Sequence, residues 1–179
     1  MNTQKKTVRL AKMGMLAAIS VLLVSLIHIP LIPAVSFLEY DPADISILLG
    51  TFAFGPLGGL GITIVASVIQ GVTVSAQSGL YGILMHILAT GAFVLTAGLL
   101  YQKHKTRKGA VLALAAGTAA MVAVMFFANM IVTPLFTGWP LAAVMDLMPL
   151  ILLFNFLKAG INSVVTFFLY KRLSKFLHS

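Results

Sequence analysis

"FGPLGGLG", residues 54–61, decides how many times this chain crosses its own length. The stretch sets one proline and four glycines between two short apolar runs. Such a cluster reads as a tight turn between two helices, and the competing reading is one long kinked helix. With the turn, the apolar runs resolve into six helices at about residues 10–29, 44–56, 58–76, 80–101, 110–131 and 147–170; with the kink there are five.

Charge placement favours six. Lys5, Lys6, Arg9 and Lys12 precede the first run, Lys103, Lys105, Arg107 and Lys108 follow the fourth, and Lys171, Arg172 and Lys175 follow the last. An even number of spans separates each pair of clusters only if the turn is real. All three clusters then face one side, which the positive-inside rule makes the cytoplasm, together with both termini. Glu39, Asp41 and Asp44 fall in the first external loop, and Asp146 falls just before the last helix.

Composition names the solvent. Of 179 residues 60% are hydrophobic and only 9% charged, and the mean hydropathy is +1.05. Soluble domains carry roughly 25% charged residues, so this is an all-α integral membrane protein, expected to form one transmembrane domain over residues 1–179. The net charge of +8 follows from topology and anionic headgroups rather than from nucleic acid. There is no cysteine, hence no disulfide and no thiolate metal site. The basic N-terminal stretch runs into a span of about 20 residues without a small-residue cleavage site, so the first helix is expected to stay as a signal anchor.

Within "ILLFNFLKAGINSVVTFFLY", residues 151–170, stands Lys158, the one basic residue of twelve outside the cytoplasmic clusters. Counted from the expected helix start it lies about 17 Å deep, near the midplane. A charge there costs at least about 2.5 to 3.5 kcal/mol on insertion scales, so an internal polar cavity is the default reading. Asn155, Lys158, Asn162 and Thr166 share one helical stripe. The plainer alternative makes them interhelical hydrogen-bond glue. Other helices offer Thr63, Ser67 and Gln70, then His86 and Thr90 one turn apart, then Asn129 before the proline-containing loop "IVTPLFTGW". Each of these taken singly is more often packing than function.

Missing features narrow the mechanism. No carboxylate falls in the expected membrane core, so Lys158 has no obvious partner and proton-coupled transport is disfavoured. No phosphate-binding loop, zinc-binding helix motif or nucleophile elbow occurs, so neither ATP hydrolysis nor enzymatic catalysis is expected. A small binding protein with a cavity and no engine remains. In the first helix Gly14 and Ala18 stand at small-xxx-small spacing, a strip that lets another helix approach closely.

"YDPADISILLGTFAFGPLGG" (40–59), "HILATGAFVLTAGLLYQKHKTRKGA" (86–110), "NMIVTPLF" (129–136) and "LLFNFLKAGINSVVTFFLYKR" (153–172) together resemble the substrate-binding S-components of energy-coupling factor (ECF) vitamin transporters, in particular the riboflavin-specific branch. The resemblance spans nearly the whole chain. It implies six helices in a bacterial plasma membrane and riboflavin as the transported substrate rather than a cofactor. The vitamin would bind beneath the loop joining the first two helices. It also implies partners: a transmembrane coupling protein and two ATPases. Asn155 and Lys158 match the family's Asn-x-x-Lys, and Asn129 matches its asparagine before the Thr-Pro pair, all implied to contact the flavin ring. His86, Thr90, Asn162 and Gln70 complete the expected substrate site, and Gly14 and Ala18 fill the docking strip. The branch often has Pro-Phe-Asn where this chain has Leu153, Phe154 and Asn155, and often Asn where it has His86. An S-component for a different vitamin or small heterocycle, a stand-alone facilitator, and a structural subunit are the alternatives.

Overall fold

The structure, a computed structural model, describes residues 3–178, without the side chains of Lys171 and residues 173–178. Of the C-terminal basic cluster, Lys171 and Lys175 therefore lie outside the described side chains. Among the described residues there are six α-helices: α1 (Thr3–Leu26), α2 (Ala43–Phe54), α3 (Pro56–Val72), α4 (Gly79–Lys103), α5 (Arg107–Thr137) and α6 (Leu141–His178). Four helical stretches, Thr3–Leu26, Ala76–Lys103, Arg107–Thr137 and Leu141–Tyr170, are long and apolar enough to cross a bilayer, while α2 and α3 are shorter.

The turn in "FGPLGGLG" is real. Gly55, at φ +85°, separates α2 from α3, and Pro56 opens α3. A positive φ is cheap only for glycine, and a proline at the first helical position gives up an N–H that has no intrahelical partner anyway. α2 and α3 fold back on each other closely enough that a Cβ on Gly50 would meet Ile62 and one on Gly59 would meet Thr51. Arg9 of α1 donates to the Phe54 carbonyl at 2.8 Å, Gln102 of α4 lies against Gly55, and Tyr101 of α4 meets Tyr170 of α6 with ring centroids 6.0 Å apart. The N-terminal cluster, the α4–α5 loop and the end of α6 thus share one end of the bundle.

α2 sits at the centre. Every residue from Asp41 to Phe52 is buried, with Ile47 and Leu48 fully so, beside Ile62 of α3, Phe93 of α4 and Met121 of α5. The surrounding helices turn leucine, valine and phenylalanine outward, among them Leu10, Leu22, Leu57, Leu99, Leu135 and Phe168. An apolar exterior around a partly polar interior is what a lipid solvent favours. At the end of the bundle away from the basic clusters, β1 (Ile29–Pro30) and β2 (Glu39–Tyr40) pair antiparallel, Ile29 opposite Tyr40.

Several helix boundaries differ from the sequence expectation, two of them across a proline or an acid. α5 continues through Pro134 to Thr137, where Gly138 at φ +72° ends it, so "IVTPLFTGW" is mostly helix rather than loop. α6 starts at Leu141 and carries Asp146, exposed, within its second turn. Local proline and acid signals suggested helix ends, yet both helices run past them with Leu135, Phe136 and Leu141 exposed, since a proline inside a membrane helix is tolerated where its surroundings re-satisfy the freed backbone groups.

Candidate functional site

At the end of the bundle away from the basic clusters lies a cavity of about 390 Å³. The segment around the β hairpin supplies His28, Phe37, Glu39 and Asp41; α3 supplies Ser67 and Gln70; α4 supplies Tyr81, Met85 and His86; α5 supplies Met121 and Met125; α6 supplies Phe154, Asn155 and Lys158. The mixture of thioethers, aromatic rings and convergent polar groups is that of a small-molecule site, and the volume falls in the usual range of about 300 to 1,000 Å³.

The polar stripe of α6 faces inward as expected. Asn155, Lys158, Asn162 and Thr166 are all buried. Lys158, however, has a carboxylate partner: its Nζ donates to Asp41 Oδ2 at 2.7 Å. Two sequence expectations are corrected here. Asp41, in the loop before α2, is buried at the cavity wall and pairs with Lys158, and Asp44 is fully buried in the first turn of α2 rather than in the loop. The reason is local as well as tertiary. Asp41 Oδ1 accepts from the backbone N–H of Ala43 at 3.0 Å, an Asx turn that starts α2 inside the bundle. The absence of core carboxylates therefore no longer argues against proton coupling.

Asp44 organises the space behind the wall. Thr90 Oγ1 donates to its Oδ1 at 2.7 Å, Asn162 Nδ2 donates to its Oδ2 at 3.2 Å, and His86 Nε2 stands 3.5 Å from Oδ1. Tyr40 donates to Asn162 Oδ1 at 3.0 Å. Burial, reinforced by the Asp41 carboxylate, pushes the Tyr40 phenol above its ordinary range, so its proton stays in that bond. Ser67, His86 and Asp44 resemble a Ser–His–acid string only superficially. Ser67 Oγ lies 2.6 Å from the Thr63 carbonyl, which claims its proton, and this leaves His86 Nδ1 as the donor to Ser67 Oγ at 2.9 Å. A serine that accepts from the histidine is not being activated by it.

Of the residues expected at the site, Asn155, Lys158, His86 and Gln70 reach the cavity wall, whereas Thr90, Asn162 and Asn129 do not line it. Thr90 and Asn162 hold Asp44. Asn129 is fully buried with both amide ends used inside α5, donating to the Met125 carbonyl at 2.8 Å and accepting from Thr133 at 2.9 Å. Thr133 in turn meets the wall residue Tyr81 at 2.9 Å. Gln70 Nε2 and His86 Nε2 are buried without a hydrogen-bond partner. Sequence reasoning missed Asp41, Glu39, His28 and Tyr81, although "YDPAD" carries the Asx-Pro signal of a helix start.

The family described as "ECF transporter, substrate-specific component" matches residues 8–170. The chain belongs to that family. Its members are transporter components, not enzymes. The chain is 29% identical over 177 residues to the riboflavin transporter RibU of Staphylococcus aureus (strain TCH60), covering 94% of this chain and 92% of that one. It is 27% identical over 134 residues to the riboflavin transporter FmnP of Bacillus subtilis (strain 168), covering 74% and 70%. A solved S component of a bacterial ECF transporter superposes with a TM-score of 0.82 at 29% identity, over 99% of this chain and all of the other. The fold and membrane setting of this substrate-specific component follow from these matches, and Gly14 and Ala18 lie exposed on the outer face of its α1.

Proposed function

We propose that this ECF substrate-specific component binds riboflavin in the cavity under the β hairpin and hands it to an ATP-driven module for uptake. One observation carries the reading: the wall combines a buried donor that lacks a partner, Gln70 Nε2, with a lysine whose ammonium still has N–H groups beyond the one given to Asp41. Lysine is donor-only. Buried unpaired donors are costly, so the complementary ligand is neutral, flat and rich in carbonyl and ring-nitrogen acceptors. A flavin ring has that chemistry, and the riboflavin transporters named above supply its identity.

In this reading Asn155, Lys158, His86 and Gln70 touch the ligand, while Thr90, Asn162 and Asn129 keep the wall in place. The whole chain acts as one domain, all six helices cross a bacterial plasma membrane, and both termini are cytoplasmic. Gly14 and Ala18 dock on a transmembrane coupling protein that works with two ATPases. The open face of α1 supports this, since a Cβ on Gly14 would meet nothing within 4 Å.

The test is to purify the chain in mild detergent from riboflavin-fed cells and record its absorbance and flavin fluorescence. A stoichiometric flavin spectrum is expected. A colourless protein that also fails to quench added riboflavin would refute the flavin assignment.

A further inference from the structure

Behind the cavity wall, donors and acceptors do not match if His86 is a neutral imidazole. Ser67 Oγ gives its proton to the Thr63 carbonyl at 2.6 Å, so His86 Nδ1 is the donor in its 2.9 Å contact with Ser67. In a neutral ring Nε2 is then a bare lone pair, and it is buried without a hydrogen-bond partner, 3.5 Å from Asp44 Oδ1. A lone pair facing a carboxylate repels it. The charges do not match either. Asp41 is paired with Lys158 at 2.7 Å, Glu39 with His28 at the mouth at 2.8 Å, and Tyr40 keeps its proton in the bond to Asn162. α3 and α5 bring no titratable residue to the wall. Asp44, fully buried, is bonded by the neutral donors Thr90 and Asn162, and the basic group standing at its Oδ1 is His86.

We propose that His86 and Asp44 form a buried proton-binding site, with the proton on Nε2 directed at Asp44 Oδ1 and reached through the cavity. Bound there, the proton turns the ring into an imidazolium whose two N–H groups both face acceptors, Ser67 Oγ and Asp44 Oδ1. It also gives the buried carboxylate a counter-charge, and an ion without one is among the costliest things a low-dielectric interior can hold. The competing arrangement, a neutral ring with Nε2–H and with Ser67 donating to Nδ1, strips the Thr63 carbonyl of its 2.6 Å bond and leaves Asp44 without a cation. Burial sets the access. Asp44, Thr90 and Asn162 expose nothing, whereas His86 lines the cavity and keeps 13% of its side chain exposed. The proton therefore enters and leaves by way of His86 and the cavity, and a ligand seated against His86 closes that route. The proton site stands whatever the cavity carries; only the closing of its route rests on the flavin reading.

The experiment is nitrogen NMR on the full chain in detergent, with its histidine rings isotopically labelled. The chain has four histidines, and His28→Gln, His104→Gln and His178→Gln together leave His86 as the one ring observed; His28 and His104 are exposed. At about pH 7.5, where a free imidazole is about nine-tenths neutral, the His86 ring is expected to show two protonated nitrogens. In Asp44→Asn the second of these protons should be lost at the same pH. Saturating riboflavin should slow exchange of the Nε2 proton with solvent several-fold. One protonated and one bare nitrogen at His86, or an imidazolium that persists in Asp44→Asn, overturns the proton site. An imidazolium whose exchange ignores bound riboflavin overturns the route through the cavity. Riboflavin that fails to bind refutes the flavin reading instead, and the ligand-free spectrum still decides the proton site. That spectrum needs no buried substitution, so the test survives an Asp44→Asn chain that fails to fold.

Discussion

Lys158 has two roles that one substitution cannot separate. As the partner of Asp41 it neutralises a buried carboxylate, and as a donor with N–H groups to spare it faces the cavity. Breaking a buried ion pair by removing one partner costs about 3 to 5 kcal/mol, because the other charge is left stranded. Asp41→Asn alone should therefore lower the thermal midpoint clearly, and the double variant Asp41→Asn, Lys158→Met should recover much of that loss. Riboflavin affinity should not recover. A charge-assisted bond to ligand contributes about 1.5 to 3 kcal/mol, so any variant without the lysine should bind at least about tenfold more weakly. Thermal unfolding and flavin titration of the single and double variants check this; wild-type affinity in the double variant would make Lys158 structural only.

At this scale the sequence was half legible. The 3.6-residue period placed Asn155, Lys158, Asn162 and Thr166 on one face, and all four are buried. Asp41 was not legible as the partner, because it stands 117 residues away along the chain. Its neighbours "YDPAD" look like solvent-loving loop to any local window.

Among the helices, the short pair α2 and α3 is the part that needs close backbone approach. A Cβ on Gly98 of α4 would sit 2.8 Å from Pro56 Cα and 2.9 Å from Thr51 Cγ2, and the first of these is backbone that cannot swing aside. Gly14 has open space at the same distance. Gly98→Ala should therefore destabilise the chain by about 1 to 3 kcal/mol through overpacking, whereas Gly14→Ala should be neutral or slightly stabilising, since alanine is the better helix former by about 1 kcal/mol. Detergent unfolding of the two variants side by side reads this directly, and equal behaviour would remove the close α3–α4 contact from the account. The α2–α3 turn was legible because proline and glycine act locally. The run of α5 through Pro134 was not, because whether a helix survives a proline depends on whether its surroundings re-satisfy the freed backbone groups.

For the whole molecule, the three basic clusters and the cavity occupy opposite ends of the bundle, so orientation and function are linked. The chain has no cysteine, which makes single-cysteine labelling clean. Ser36→Cys, exposed near the hairpin, should react with a membrane-impermeant reagent added outside intact cells, and Lys105→Cys, exposed in the α4–α5 loop, only after permeabilisation. The reverse pattern would invert the topology and put the cavity on the cytoplasmic side.

By itself the sequence determined the solvent, the helical class, the turn at Gly55 and the polar face of α6. Each of these is a property of composition or of residues within a few turns of one another, and so is written in local hydropathy, period and turn chemistry. Only the tertiary structure decided that α2 is buried from Ala43 to Phe52, that Asp41 and Asp44 enter the bundle with it, and that Lys158 already has a counter-ion. Those outcomes depend on which distant segments share a low-dielectric interior, where a charge is tolerated only beside its partner.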